Sequence, residues 1–376
     1  YKGSLIGQVI FKNNLTFFSI IYLTIKFHKM KISYYFLILF PFISYAQDYN
    51  IGHTAIDFYD ETRDRIIPAQ IYYPSEQTGE NVLITNSSFP IIVFGHGFLI
   101  GWETYSNFWE ELVPKGYIVC FPTTEMSFSP NHEEFGQDLK FVANEMIELE
   151  NEINSIFFNS IIPKSAVMGH SMGGGASFLS SNNNTSSITT LINFAAAETS
   201  PSAISAALDV DIPTLIFAGE EDCVTPPTSN QIPMYDATNA SCKTLININN
   251  GGHCYFANDN FVCDFGESSC SSGLNISREE QQDVTFDFLN LWLDYTLYND
   301  EYALVEFNDS LQTSIRINYQ QSCESVNINE DLLLQENTST LIKMIDVLGR
   351  EQQEHKKGLL LFYIYDNGKV EKKFNP

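Results

Sequence analysis

The chain has 376 residues, enough for one large or two ordinary domains, with 20 basic against 46 acidic side chains and a net charge of −26. Such a surface repels phosphate backbones, which argues against a nucleic-acid partner. It suits a neutral or cationic substrate, or simply keeps the chain in solution.

The first residue is Tyr1 and the first methionine is Met30. From there the chain reads MKISYYFLILFPFISYAQ: a lysine, an apolar run from Tyr34 to Ile43, then Ser-Tyr-Ala before Gln47. That order predicts a secretory signal peptide over 30–46, cut after Ala46. The apolar run is short for crossing ~30 Å of hydrocarbon, so no permanent membrane span is expected. Residues 1–29 hold an apolar stretch, Leu15 to Ile25, but no methionine, and read as translated upstream sequence. The mature chain then carries 15 basic and 46 acidic side chains, net −31.

All seven cysteines follow Ala46: Cys120, Cys223, Cys242, Cys254, Cys263, Cys270 and Cys323. In an exported chain several should pair. Cys254, Cys263 and Cys270 are irregularly spaced and no CxxC occurs, so disulfides are expected there rather than thiolate metal ligands. The odd count leaves one over, and Cys120, inside the apolar run Tyr117–Phe121, is expected to be a buried free thiol.

From 51 to 295 short β-rich runs alternate with helical patterns. Strands are predicted at Ile66–Tyr73, Pro90–Phe94, Tyr117–Phe121, Ala166–Met168, Thr189–Phe194, Thr214–Ala218 and Thr244–Ile248. Continuous rather than alternating apolar runs mark strands buried on both faces, as in a parallel sheet covered by helices. Helical patterns lie at about 103–115, 134–158, 172–181 and 279–297. Together they predict an α/β fold, a mostly parallel central sheet with helices on both faces, over 47–323. After Cys323 the character changes. Residues 345–374 carry short strand-like pieces and a turn signal at Asp366-Asn367-Gly368, predicting a small β-rich segment within 324–376.

The run Ala166–Met168 leads into GHSMGG, where Gly169, Ser171 and Gly173 fill the pattern G-x-S-x-G. A serine on a sharp strand-to-helix turn, flanked by small residues, is the nucleophile elbow of a hydrolase sheet. The following helix points its positive end at the same spot. A serine hydroxyl needs a base oriented by an acid, and in this arrangement the chain order is Ser, acid, His. Strand Thr214–Ala218 is followed by Glu220-Glu221-Asp222, and strand Thr244–Ile248 by Asn249-Asn250-Gly251-Gly252-His253. Asp222, deepest in its loop, is the preferred acid. His28 lies outside the mature chain; His53, His96, His132 and His170 precede or adjoin the serine, and His355 is in the terminal segment. His253 therefore remains as the base. The oxyanion donors expected are the backbone amides of Met172, just after the serine, and Phe98, in the loop Phe94-Gly95-His96-Gly97-Phe98. His96 is read as bracing that loop. No metal or cofactor is implied.

The stretches GHGFLIGWETY (95–105), FWEELVPKGYIV (108–119), GHSMGGG (169–175), IFAGEEDCVTPP (216–227) and QIPMYDATNASCKTLININNGGHCYFAND (231–259) resemble the α/β-hydrolase superfamily. They are most similar to the secreted cutinase-like polyester hydrolases, the poly(ethylene terephthalate) hydrolases, of the Bacteroidetes type. That resemblance implies an ester hydrolase with Ser171, Asp222 and His253 as triad and Phe98 and Met172 as oxyanion hole. It departs from many members at His170, where they carry Trp, and at Ala196-Ala197-Glu198-Thr199, where they carry an aromatic clamp worth ~1 kcal/mol to an aromatic substrate. Gly97, Phe98, Trp102, Ala197, Glu198 and Thr199 are the expected substrate-lining positions, with Trp102 and Phe98 also readable as core. Residues 345–374 resemble the C-terminal sorting domain of type IX secretion cargo, so 324–376 is expected to engage that machinery. The whole chain is expected to be a secreted or cell-surface monomer acting on hydrophobic esters or polyesters. Rival readings are a serine hydrolase of peptides or thioesters and a non-catalytic surface-binding protein on the same fold. For the cysteines, Cys223 with Cys242, and Cys254 with Cys263 or Cys270, are expected to brace the acid and base loops.

Overall fold

The computed structural model describes residues 21–23, 36–38, 48–181, 187–323, 341–346, 350–352, 360–365 and 370–374. The predicted signal peptide and upstream segment lie outside these residues apart from a short antiparallel pair, Ile21–Leu23 with Phe36–Ile38. Within the described residues no helix is long and apolar enough to cross a membrane.

The centre is a ten-stranded sheet. Its strands are β1 (Asn50–Asp60), β2 (Arg65–Ser75), β3 (Gly79–Glu80), β4 (Phe89–Gly95), β5 (Ile118–Pro122), β6 (Ile161–His170), β7 (Ile188–Phe194), β8 (Thr214–Gly219), β9 (Cys242–Ile248) and β10 (Ile317–Cys323). They lie in the order β10-β9-β8-β7-β6-β4-β5-β2-β1-β3. From β9 through β5 every neighbouring pair is parallel, while β2 and β10 pair antiparallel at the two flanks. This is the α/β-hydrolase architecture that the sequence predicts.

The continuous apolar runs are buried on both faces. In β4, Ile91 and Val93 enter one core with Phe135, Leu139 and Val142. Ile92 and Phe94, pointing the other way, join Phe108, Phe288 and Trp292. The first three partners belong to α2 (His132–Glu148), and Phe108 belongs to α1 (Ser106–Leu112). The α2 helix starts where Asn131 accepts the amides of Glu133 and Glu134. It ends ten residues before the predicted limit, because the apolar periodicity runs on into a 3-10 turn and tight bends at residues 149–159. A third helix, α3 (Met172–Ser180), follows β6 directly. It is succeeded by α4 (Ala203–Ala207), α5 (Gln231–Ala237), α6 (Phe261–Ser268), α7 (Arg278–Tyr298) and α8 (Glu301–Thr313). Ser277 caps α7 through the Glu280 amide, and Trp292 ties it to the sheet by donating to Thr190 Oγ1 at 2.9 Å.

The expected Cys223–Cys242 bridge is not formed. Cys242 pairs with Cys323 and Cys223 with Cys270, while Cys254 takes Cys263. Cys242 opens β9 and faces Cys323 across the antiparallel ladder. Cys223 follows the far end of β8, which is parallel to β9. A strand of this length spans roughly 20 Å, so the two sulfurs sit at opposite edges of the sheet. Cys120 is free and buried, as expected.

The C-terminal residues form a separate antiparallel sheet of β11 (Leu341–Asp346), β12 (Glu351–Gln352), β13 (Leu360–Tyr365) and β14 (Val370–Phe374), ordered β12-β11-β13-β14. The predicted turn at Asp366-Asn367-Gly368 falls outside the described residues, between the paired strands β13 and β14.

Candidate active site

Four parallel strands, β4, β6, β8 and β9, end on one edge of the sheet, and the loops beyond them carry the predicted site. At the end of β6, Ser171 takes φ 55° and ψ −117° before α3 begins. A non-glycine residue there is strained, and the strain is held by its surroundings. The Ser171 amide donates to the Phe194 carbonyl at 3.0 Å, and the Ser171 carbonyl accepts from Gly175 and Ala197. The flanking glycines make the turn possible. A Cβ on Gly173 would sit 2.1 Å from the Gly95 carbonyl oxygen, and one on Gly169 would sit 2.3 Å from that of Gly173. Strand β4 and helix α3 can therefore close on the elbow only if both positions stay bare.

Ser171, Asp222 and His253 converge. His253 Nε2 lies 3.0 Å from Ser171 Oγ, and His253 Nδ1 lies 2.9 Å from Asp222 Oδ2. The three are 8 %, 4 % and 2 % exposed, so their contacts act at low local dielectric. Asp222 Oδ1 accepts from the Val224 and Thr225 amides, each at 2.8 Å. The Thr225 hydroxyl lies 2.8 Å from Asp222 Oδ2 and 3.0 Å from His253 Nδ1. Burial pushes the Asp222 carboxyl up, but the His253 imidazole and the Thr225 hydrogen bonds outweigh it and hold the group below the usual carboxylate value. A buried, ionised acid thus fixes Nδ1–H, leaving Nε2 bare towards the serine.

The main chain of His253 is held from behind by Glu267 on α6. Its Oε1 accepts from the His253 amide at 2.5 Å and its Oε2 from the Cys254 amide at 3.2 Å. Two disulfides anchor the same region, since Cys223 follows Asp222 and Cys254 follows His253, with partners Cys270 and Cys263. The neighbouring Gly252 exchanges two hydrogen bonds with Gln281, at 2.8 and 2.9 Å.

Of the expected oxyanion donors, Met172 N opens α3, where the leading amides have no acceptor within the helix. Phe98 sits in the loop after β4, 40 % exposed. His96 braces that loop, its ring nitrogens 2.9 Å from the Gly97 carbonyl and 2.8 Å from the Thr124 carbonyl. Gly97 is beside the site, its amide donating to Tyr105 Oη at 2.8 Å. Ala197, through its amide on the Ser171 carbonyl, brings Glu198 and Thr199 next to the elbow. Glu198 is tied to Asn230 and Ile204, and Thr199 to Pro201. Trp102 behaves differently. Half-buried, its ring packs with Tyr72 at 5.9 Å and Trp109 at 5.6 Å in an aromatic cluster against the core.

Sequence reasoning missed Tyr105, Thr225, Glu267 and Gln231, whose Nε2 donates to the Ala196 carbonyl at 2.6 Å and to Thr225 Oγ1 at 3.3 Å. Tyr105, Thr225 and Gln231 lie within the stretches that carry the resemblance, but each of the four acts through a contact to a residue distant along the chain, and no local pattern marks that contact. Among the described residues no three His, Cys, Asp or Glu side chains converge to hold a metal ion.

His170 is fully buried, and burial, with the nearby His253 adding to it, pushes its imidazole down to about 3. An unfolded chain takes up this proton near pH ~6.5. Between the two values the unfolded state binds more protons, so stability falls as the pH drops from ~6.5 towards ~3, by about 1.4 kcal/mol per pH unit. His170→Gln is expected to flatten the dependence of Tm on pH between about 6 and 4. An unchanged slope would show that this proton does not control acid stability.

The family model described as PET hydrolase-like matches residues 68–270, more than half of the chain and all of the loops just described. No curated protein matches it.

Proposed function

Because the chain belongs to the PET hydrolase-like family of α/β-hydrolases, an ester-hydrolysing family, we propose that it is a secreted serine carboxylic-ester hydrolase working through an acyl-enzyme on Ser171. The observation that carries this reading is the unbroken line from Ser171 Oγ to His253 Nε2 and from His253 Nδ1 to Asp222. His253 accepts the Ser171 proton as the oxygen attacks the ester carbonyl, then returns it to the leaving alcohol. Asp222 holds the tautomer and stabilises the imidazolium that forms. The Met172 and Phe98 amides receive the charge on the carbonyl oxygen. Water activated by His253 then releases the acid and restores Ser171.

The substrates are apolar esters, with polyesters among them, bound along Gly97, Phe98 and Ala197–Thr199. The Ala-Ala-Glu-Thr segment supplies no aromatic ring, so an aromatic polyester loses one stacking partner there. Export is supported by three disulfides, which persist in oxidising compartments. In this reading residues 30–46 are a signal peptide, 47–323 the catalytic domain, and 324–376 a sorting domain for type IX secretion, with the mature enzyme a monomer.

A fluorophosphonate probe tests the reading together with p-nitrophenyl esters of graded chain length. Wild-type protein is expected to label and turn over, and Ser171→Ala to do neither. Absence of labelling in folded wild-type protein would instead favour a binding role on a hydrolase fold. Turnover of peptides or thioesters well above esters would move the substrate class.

A further inference from the structure

We propose that Tyr105 and His170 are positioning residues that lock the oxyanion loop to the main chain of the general base through one directed chain of buried hydrogen bonds. The inference rests on the hydrolase reading above.

The direction of the chain follows from what each atom can do. The Gly97 amide can only donate, so Tyr105 Oη accepts from it at 2.8 Å. The His253 carbonyl can only accept, so the His170 nitrogen 3.0 Å away, Nε2, must carry a proton. In a neutral imidazole the other nitrogen is then bare. Tyr105 O–H, 3.0 Å from His170 Nδ1, donates to it. Every proton has an acceptor, and the chain runs Gly97 N–H to Tyr105 to His170 to the His253 carbonyl. Tyr105 and His170 are 0 % exposed, so water cannot stand in for a lost link.

Burial fixes the protonation states this pattern needs. It pushes the Tyr105 hydroxyl well above its usual value and the His170 imidazole down to about 3. Tyr105 thus stays a donor and His170 Nδ1 an acceptor throughout the range in which an ester hydrolase works.

Three parts of the site depend on this chain. Gly97 precedes Phe98, the expected oxyanion donor. His170 precedes Ser171, and its ring packs 4.8 Å from that of His253. The far end grips the carbonyl of His253, whose amide Glu267 holds from the other side. Neither Tyr105 nor His170 is within hydrogen-bonding contact of Ser171 Oγ, so their effect passes through the groups they hold. Displacing a donor or base by a fraction of an ångström lowers the rate of the chemical step more than ground-state binding.

The test uses the full chain and soluble p-nitrophenyl esters, with kcat expressed per fluorophosphonate-titrated site so that inactive protein does not count. Tyr105→Phe deletes the hydroxyl, and His170→Leu deletes both imidazole nitrogens. Each is expected to lower kcat about tenfold with KM within about twofold. His170→Gln keeps a donor and an acceptor and is expected to fall less than His170→Leu. Unchanged kcat per site in Tyr105→Phe would overturn the proposal, as would a loss confined to KM or equal losses in the Gln and Leu variants. If Tyr105→Phe does not fold, the Gln and Leu pair decides by the same criteria. Wild-type protein that neither labels nor turns over ester sinks the hydrolase reading itself, whereas active wild-type protein with unaffected variants sinks only the positioning chain.

Discussion

Asp222→Asn is expected to lower kcat/KM for soluble esters by about four decades while leaving the fold intact. The size follows from how the carboxylate is held. Oδ1 is gripped by the Val224 and Thr225 amides, which demand an acceptor. An asparagine satisfies them only by turning its carbonyl oxygen their way, and its NH2 group then faces His253 Nδ1. That nitrogen must become the acceptor, so the proton moves to Nε2 and points at Ser171 Oγ. The imidazole can no longer take the serine proton. Steady-state kinetics beside circular dichroism would check this. A variant within about tenfold of wild type would mean that His253 does not depend on Asp222 for its tautomer.

Gly173→Ala is expected to carry the largest structural cost of any single methyl group in the site. The added Cβ meets Gly95 oxygen at 2.1 Å, Gly95 carbon at 2.3 Å and His96 oxygen at 2.7 Å, all of them main chain. No side chain can swing away, so α3 must retreat from β4 or β4 must bend. Overpacking of this kind costs about 3 kcal/mol or more, which lowers Tm by about 6–12 °C in a domain of this size. Movement of α3 also displaces the Met172 amide, so turnover should fall even in the fraction that remains folded. Gly266→Ala on α6 is the control, because a Cβ there meets nothing within 4 Å and alanine favours a helix. Thermal melts of the two variants would separate contact from backbone propensity. A Gly173→Ala protein that melts with the wild type would show that the strand and helix leave room for a methyl group between them.

The strands that build the site were legible because a parallel strand is covered on both faces and must be apolar throughout. FPIIVFG and TLIFAG are wholly buried and stand out without any partner in view. Edge strands lack that signature. INYQQSC, in β10, is mostly exposed and polar, and only its pairing with β9 makes it a strand. In β1, burial alternates along NIGHTAIDFYD, and its polar positions hide the pattern. Helix α5 carries Pro233 within its first turn, and α8 lies outside the regular alternation of strand and helix.

The sequence by itself determined the parallel strands of the central sheet, β4 to β9, the elbow and the identity of the three side chains that meet there. Each depends on chemistry within a few residues: a buried run, a turn that needs bare glycines, an acid and a histidine just past strand ends. Tertiary structure alone decided which cysteines pair, that Trp102 packs with Tyr72 and Trp109, and that Tyr105 and Glu267 serve the base loop. Those contacts join elements distant along the chain, such as Tyr105 and His170, 65 residues apart. Their existence depends on sheet order and on which end of a strand a residue occupies, and neither is encoded in the spacing of neighbouring residues.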